Sequence, residues 1–129
     1  MAKSINQKLK IFHLRNILLE NTDKNHYMTM NEILESLENI GIKAERKSIY
    51  SDIDLLREMG FEIVNQKRLG YAVVKKDFDI AEISIIIKAL NNANIMESKR
   101  RHIVSKLENF LSKYEVREII EEKGAVNRI

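Results

Sequence analysis

The side chains best equipped for chemistry gather in one stretch, GIKAERKSIYSDIDLLREMG, residues 41–60. Its first half carries Arg46, Lys47, Ser48, Tyr50 and Ser51; its second half carries Asp52, Asp54 and Glu58. Cations and hydroxyls on successive turns of a helix suit hydrogen bonding to phosphate oxygens and to base edges. A carboxylate in the first half would meet phosphate repulsion, whereas further along the helix it is tolerated. A helix that serves only as core packing needs no such division. Other chemistries have little footing. His13, His26 and His102 are scattered, and none has a carboxylate or a second histidine at ligand spacing. There is no glycine loop to cradle a phosphate and no serine with a base and an orienting acid. The reading is therefore not an enzyme: no catalytic residue, no metal ligand and no cofactor are expected. Glu121-Glu122 reads as a solvated tail, and Asp77 with Asp79 as a helix start.

Composition narrows the class further. Hydrophobic residues make up 44% of the 129 and charged residues 32%, a globular rather than a disordered balance. The chain is long enough for one domain with a real core, or for a small domain with an appended helical piece. The absence of cysteine excludes disulfides and thiolate-bound zinc, and fits an intracellular, cytoplasmic and nucleoid-associated location. The start MAKSINQKLK lacks the apolar run of a signal peptide. The stretch from Ile80 to Leu90 contains Glu82 and Lys88 and is too short to span a bilayer, so no membrane partner is expected. The net charge of +3 is modest, but its placement is not even. Residues 1–42 carry five basic and five acidic side chains, and residues 77–129 carry nine of each. Residues 43–76 carry eight and five, so the whole excess lies around the stretch quoted above.

The elements that must hold this stretch follow from periodicity and punctuation. Residues 5–21 read as a helix, with Ile11, Leu14, Ile17 and Leu18 at helical spacing and Leu9 and Phe12 widening the face. Asn21 to Tyr27 is polar and reads as a loop. Thr29 is a plausible N-cap, with Glu32 completing a capping box. The next helix places Met30, Ile33, Leu34, Leu37 and Ile40 on one face and stops at Gly41. A third helix, 44–59, follows Ile42-Lys43-Ala44. On a helical wheel Ile49, Ile53, Leu56 and Met59 form its buried face; Arg46, Lys47, Tyr50, Ser51, Asp54, Arg57 and Glu58 lie opposite. Asp52 sits at the edge of the core side, where an ion pair or hydrogen bond to a neighbouring helix is the ordinary explanation. Strands over 61–64 and 71–74, joined by the loop 65–70 with Gly70, read as a hairpin.

The order of helix, helix, tight glycine turn, helix and hairpin is that of a winged helix-turn-helix. The fold class expected is thus mainly α with a small β-hairpin: a winged helix-turn-helix over 1–76, then a helical extension over 77–129. The third helix is the recognition helix, entering the major groove by its N-terminal turns. The candidate DNA-binding residues are Thr29, Lys43, Arg46, Lys47, Ser48, Tyr50, Ser51, Lys67 and Arg68. Most have a plainer reading: a solvated helix face for Arg46 and Lys47, a cap for Thr29, packing for Tyr50, tolerated polar residues for Ser48 and Ser51, solubility for Lys67 and Arg68. In the helix-turn-helix context double-stranded DNA is the partner favoured, with the wing 65–70 on the backbone or minor groove.

The stretch AERKSIYSDIDLLREMGFEI, followed by RLGYAV, resembles the N-terminal winged-helix domain of WYL-domain transcriptional regulators and, more loosely, DeoR-type regulators. The shared pattern is Arg46, Ser48, Ile49, Tyr50, Asp52-Ile53, Leu55-Leu56, Gly60-Phe61 and, in the wing, Gly70-Tyr71. The likeness covers residues 8–75 and extends more weakly past Phe78. Ser51 stands where many such regulators carry a basic residue. The resemblance implies a bacterial or phage regulator of transcription. Longer members continue into a WYL ligand-sensing domain, so the chain is expected to be either a truncated form or a natural short form without a sensor.

In the second half, Phe78, Ile80, Ile83, Ile87 and Leu90 mark a fourth helix. Ser98 is a candidate cap for a fifth, carrying Ile103, Leu107, Phe110, Leu111 and Tyr114, and a short helix over 116–122 follows. The basic run Ser98-Lys99-Arg100-Arg101 reads as a solvated face. Apolar helical surface in excess of what one small unit buries suggests a homodimer through Ile83, Ile86, Ile87, Leu90, Ile103, Leu107 and Phe110, reading two half-sites. The rival expectation is a protein-interaction module, or a short-form antagonist that pairs with a full-length regulator.

Overall fold

The computed structural model describes residues 2–75 and 77–126. The described residues form six helices and one antiparallel hairpin: α1 (Ala2–Asn21), α2 (Met30–Asn39), α3 (Arg46–Glu58), β1 (Glu62–Gln66), β2 (Gly70–Lys75), α4 (Ile80–Asn91), α5 (Glu97–Glu108) and α6 (Lys113–Val126). The fold is mainly α with a small hairpin, a winged helix-turn-helix followed by a helical extension. The chain divides into two compact units, Met1–Lys75 and Lys76–Ile129. No described helix is long and apolar enough to cross a membrane.

In the first unit a single core joins α1 (Leu14, Leu18), α2 (Met30, Ile33, Leu37), α3 (Ile49, Ile53, Leu56) and the hairpin (Ile63, Tyr71, Val73). Local chemistry fixes the helix ends. Thr29 Oγ1 accepts from the Glu32 N–H and Glu32 Oε1 accepts from the Thr29 N–H, a reciprocal capping box. Both helices of the helix-turn-helix end alike. Gly41 and Gly60 take left-handed φ of +84° and +106°. Ile42 N–H then donates to Leu37 O, and Phe61 N–H to Leu56 O. In this Schellman geometry the residue after the glycine makes the apolar contact, and the C-cap residue turns outward. That corrects the wheel at two positions: Ile40 and Met59, both C-caps, are 51% and 64% exposed.

The predicted polar loop 21–27 is a built turn. Asp23 and His26 exchange backbone hydrogen bonds at 3.0 and 3.3 Å, and Asp23 Oδ1 accepts from the Asn25 N–H. His26 Nδ1 lies 2.8 Å from Asp23 Oδ1, so this histidine does have a carboxylate neighbour, in a role that closes the turn. Thr22 is fully buried; its hydroxyl donates to Leu18 O and accepts from the Val73 N–H, pinning β2 to the end of α1. The strands extend beyond the predicted ones, with Gln66 paired to Gly70, so the wing tip is only Lys67-Arg68-Leu69. Phe61 belongs to the α3 stop rather than to β1.

The second unit has its own core of Ile83, Ile87, Leu111 and Ile119, flanked by Phe78, Ile80, Val104, Leu107 and Val116. Asp79 and Glu82 form a capping box at α4. Ser112 and Glu115 exchange the same pair of bonds at α6, which starts at Lys113 and takes in Tyr114. This second box ends the predicted long fifth helix early: Phe110 and Leu111 lie in the turn after α5. Nor does Ser98 cap α5, which begins at Glu97 after Met96, a residue with no capping side chain.

Candidate nucleic-acid interface

Three chain segments meet around Thr29. Arg46, the first residue of α3, donates from Nη2 to Asn31 Oδ1 at the start of α2. Met28 and Tyr71 exchange two backbone hydrogen bonds at 2.8 and 2.7 Å, joining the α2 approach to β2. Gly70 packs into the same place. With φ +105°, a Cβ there would lie 2.5 Å from the Met28 carbonyl carbon and 2.8 Å from Thr29 Cα, and closer still to the carbonyl oxygen. The capped N terminus of α2, the N terminus of α3 and the root of the wing are thus gathered at one corner.

From that corner α3 exposes Arg46, Lys47, Tyr50 and Ser51. Glu45, at its N-cap, makes no side-chain capping bond, and no acidic residue occupies the first turn. The positive end of the helix dipole adds to the cations there. Of the acidic residues further on, Asp52 and Asp54 are engaged within the unit. Asp54 accepts from Arg57 Nη1 at 3.0 Å, and the same guanidinium donates from Nε and Nη2 to Ile63 O, fastening β1 to α3. Asp52 lies 2.7 Å from the ammonium of Lys10 on α1, the ion pair to a neighbouring helix expected of it. Tyr71 stands near Tyr50, Arg57 and Asp54; burial raises its phenol above the ordinary value, the Tyr50 phenol and Asp54 add to this, and Arg57 opposes it.

The remaining candidates fall in different places. Ser48 is half-buried and accepts a hydrogen bond from Lys10, so its hydroxyl faces α1. Thr29 Oγ1 is occupied as an acceptor by its cap, with its own proton available to donate. Lys43 is exposed in the connection and lines a cleft of about 630 Å³ with Leu34, Glu38, Ile42, Ala44, Glu45 and Ser48. The two glutamates make that cleft a poor phosphate site. Lys67 and Arg68 are exposed at the wing tip, where Leu69 N–H donates to Gln66 O. Arg68 holds φ +75°, a left-handed conformation in which glycine is the comfortable residue.

Lys10 and Asn31 are two participants that motif reading passes over. Lys10 carries a signal in hindsight: it sits one and two turns before Leu14 and Leu18, on the apolar stripe of α1, where a charge requires a buried partner. Asn31 has no local signal, because its role depends on how α2 meets α3.

The residues proposed for dimerisation are largely used inside the second unit. Ile83 and Ile87 are buried in its core, and Leu107, half-buried, packs against it. Ile86, Leu90 and Ile103 are half-buried, and Phe110 meets Phe78 edge to face at 5.2 Å. Ile85, Met96 and Ile120 face outward instead. Arg100, read as part of a solvated run, is an interior staple: its guanidinium donates to Leu90 O, Ala93 O and Ile95 O and pairs with Glu97.

Fold and site together define the class, a winged helix-turn-helix with a cationic, hydroxyl-bearing third helix. No family model, no characterised protein and no solved structure matches the chain.

Proposed function

We propose that the chain is a sequence-specific, double-stranded DNA-binding regulator of transcription. The first two exposed turns of α3 enter the major groove, and Lys67 and Arg68 meet the backbone or minor groove. The observation that carries this reading is the exposed set Arg46, Lys47, Tyr50 and Ser51 at a helix start free of first-turn acid, while Asp52 and Asp54 are neutralised by Lys10 and Arg57. The wing root beside Thr29 and a strained arginine at the wing tip support it. So does the resemblance of residues 8–75 to WYL-type regulators. A partner for the second unit, a second copy or a full-length regulator, is favoured by the outward Ile85, Met96 and Ile120. A two-fold dimer reads half-sites about one or more helical turns of DNA apart.

Selection of bound sequences from a random double-stranded library, with the winner titrated across salt, tests the reading. A motif with steep salt dependence is expected, and paired half-sites if the protein is dimeric. No enrichment over the random pool would refute it. Sedimentation showing a monomer at high micromolar concentration would remove the dimer.

A further inference from the structure

Lys10 is the buried cation that the reading face does not use. Its residue is 5% exposed, its ammonium lies 2.7 Å from Asp52 Oδ2, and it donates a hydrogen bond to Ser48 Oγ. Ser48 and Asp52 are one turn apart on α3, on one flank of the buried stripe Ile49, Ile53 and Leu56. On the other flank Arg57 holds Ile63 O with two hydrogen bonds. Between the two flanks, away from the core, lie Lys47, Tyr50 and Ser51, with Arg46 exposed on the Arg57 flank at the helix start.

Three aliphatic side chains hold a helix against a core without fixing how far it is rolled about its axis, because apolar attraction has no direction. Hydrogen bonds and close ion pairs do have one. A roll of 20° moves a group on the helix surface by about 2 Å, taking a radius of about 5–6 Å with side chains. Base-reading geometry tolerates only about 0.5 Å. A buried ion pair is, moreover, a poor means of gaining stability, since well-packed apolar residues serve as well or better.

We propose that Lys10 is a positioning residue for the recognition helix: held between Ser48 and Asp52, its ammonium sets the roll of α3 and so the register of the reading face. This rests on the DNA-reading function proposed above. Arg57 supplies the opposite flank, and the two together leave the helix one orientation.

The test replaces the pair by apolar residues in the full chain, Lys10→Met with Asp52→Leu. Urea stability at or above that of the wild type is expected. Affinity for the selected site should fall at least tenfold, with nonspecific binding and the salt slope unchanged. In the free protein, the phase of residual dipolar couplings along the α3 amides, which reports helix roll, should shift. Lys10→Arg, which keeps the cation, should restore most of the specific affinity and the wild-type phase; it also serves if the double variant does not fold. Specific affinity within twofold of wild type, or an unshifted phase in the double variant, would overturn the proposal. If the wild type shows no sequence preference at all, it is the DNA reading that fails, and the dipolar phase alone decides whether Lys10 positions the helix.

Discussion

Gly70→Ala concentrates its damage at the corner where the wing meets the helix-turn-helix. A Cβ at this position meets main-chain atoms, Met28 C at 2.5 Å and Thr29 Cα at 2.8 Å, and no rotamer change relieves that. The backbone must separate, and the two Met28–Tyr71 hydrogen bonds stretch with it. Those bonds are worth about 1 kcal/mol each. The left-handed φ of +105° adds about 1–2 kcal/mol for a residue with a side chain. The total loss is about 3–4 kcal/mol. A 75-residue unit has roughly 4–11 kcal/mol in all at typical values per residue. The variant should therefore lose between about a third and nearly all of the unit's stability at 25 °C. Urea unfolding followed by circular dichroism measures the loss, and amide exchange at Met28 and Tyr71 locates it. A loss under about 1 kcal/mol with both amides still protected would refute the claim that the wing root depends on backbone contact.

Arg46→Ala is expected to cost about 1–3 kcal/mol in binding to a selected site and to relax preference at one base pair, read by titration against single-mismatch sites. Lys67→Ala should weaken binding to all sequences alike and flatten the dependence of log K on log salt by about one unit. Arg100→Ala should destabilise the second unit by about 2–4 kcal/mol, because the Leu90 carbonyl at the end of α4 and the Ala93 and Ile95 carbonyls in the loop after it lose a charged donor; Arg100→Lys should recover little, lacking the planar fork. Tyr71 titrates higher folded than unfolded, so its contribution to stability is whole below pH 10 and is lost as pH rises through the folded value. The urea midpoint should show a fall above pH 10 that Tyr71→Phe reduces.

Much of the first unit is legible from local rules. Thr29 with Glu32 and the glycines at 41 and 60 mark helix ends because capping is settled within a few residues. The same rules, taken one step further, explain the misplacement of Ile40 and Met59: a wheel extends the helical period into a cap, where the period has already broken. Ser112 with Glu115 is an equally local box, lost to sequence reading because a long apolar pattern ran across it. What could not be read is non-local. Lys10 finds Asp52 forty-two positions away, Thr22 finds Val73, and Arg46 on α3 finds Asn31 on α2, and no one helix or strand contains any of the three pairs. In the second unit the start of α6 is what escapes: the helix expected over 116–122 begins at Lys113, because the Ser112–Glu115 box sets its first turn.

The root of the wing is joined to the start of α2 by main-chain atoms and by a residue with no side chain, while Lys47 and Ser51 are exposed and carry none of the packing described above. For a protein that reads DNA this separates two kinds of inheritance. Substitutions at Lys47 or Ser51 can change which bases are favoured without a penalty in folding, so operator preference is free to drift between lineages. Gly70, Met28 and the Tyr71 backbone have no such freedom. On the proposed reading, the scaffold should outlast many of the sequences it recognises.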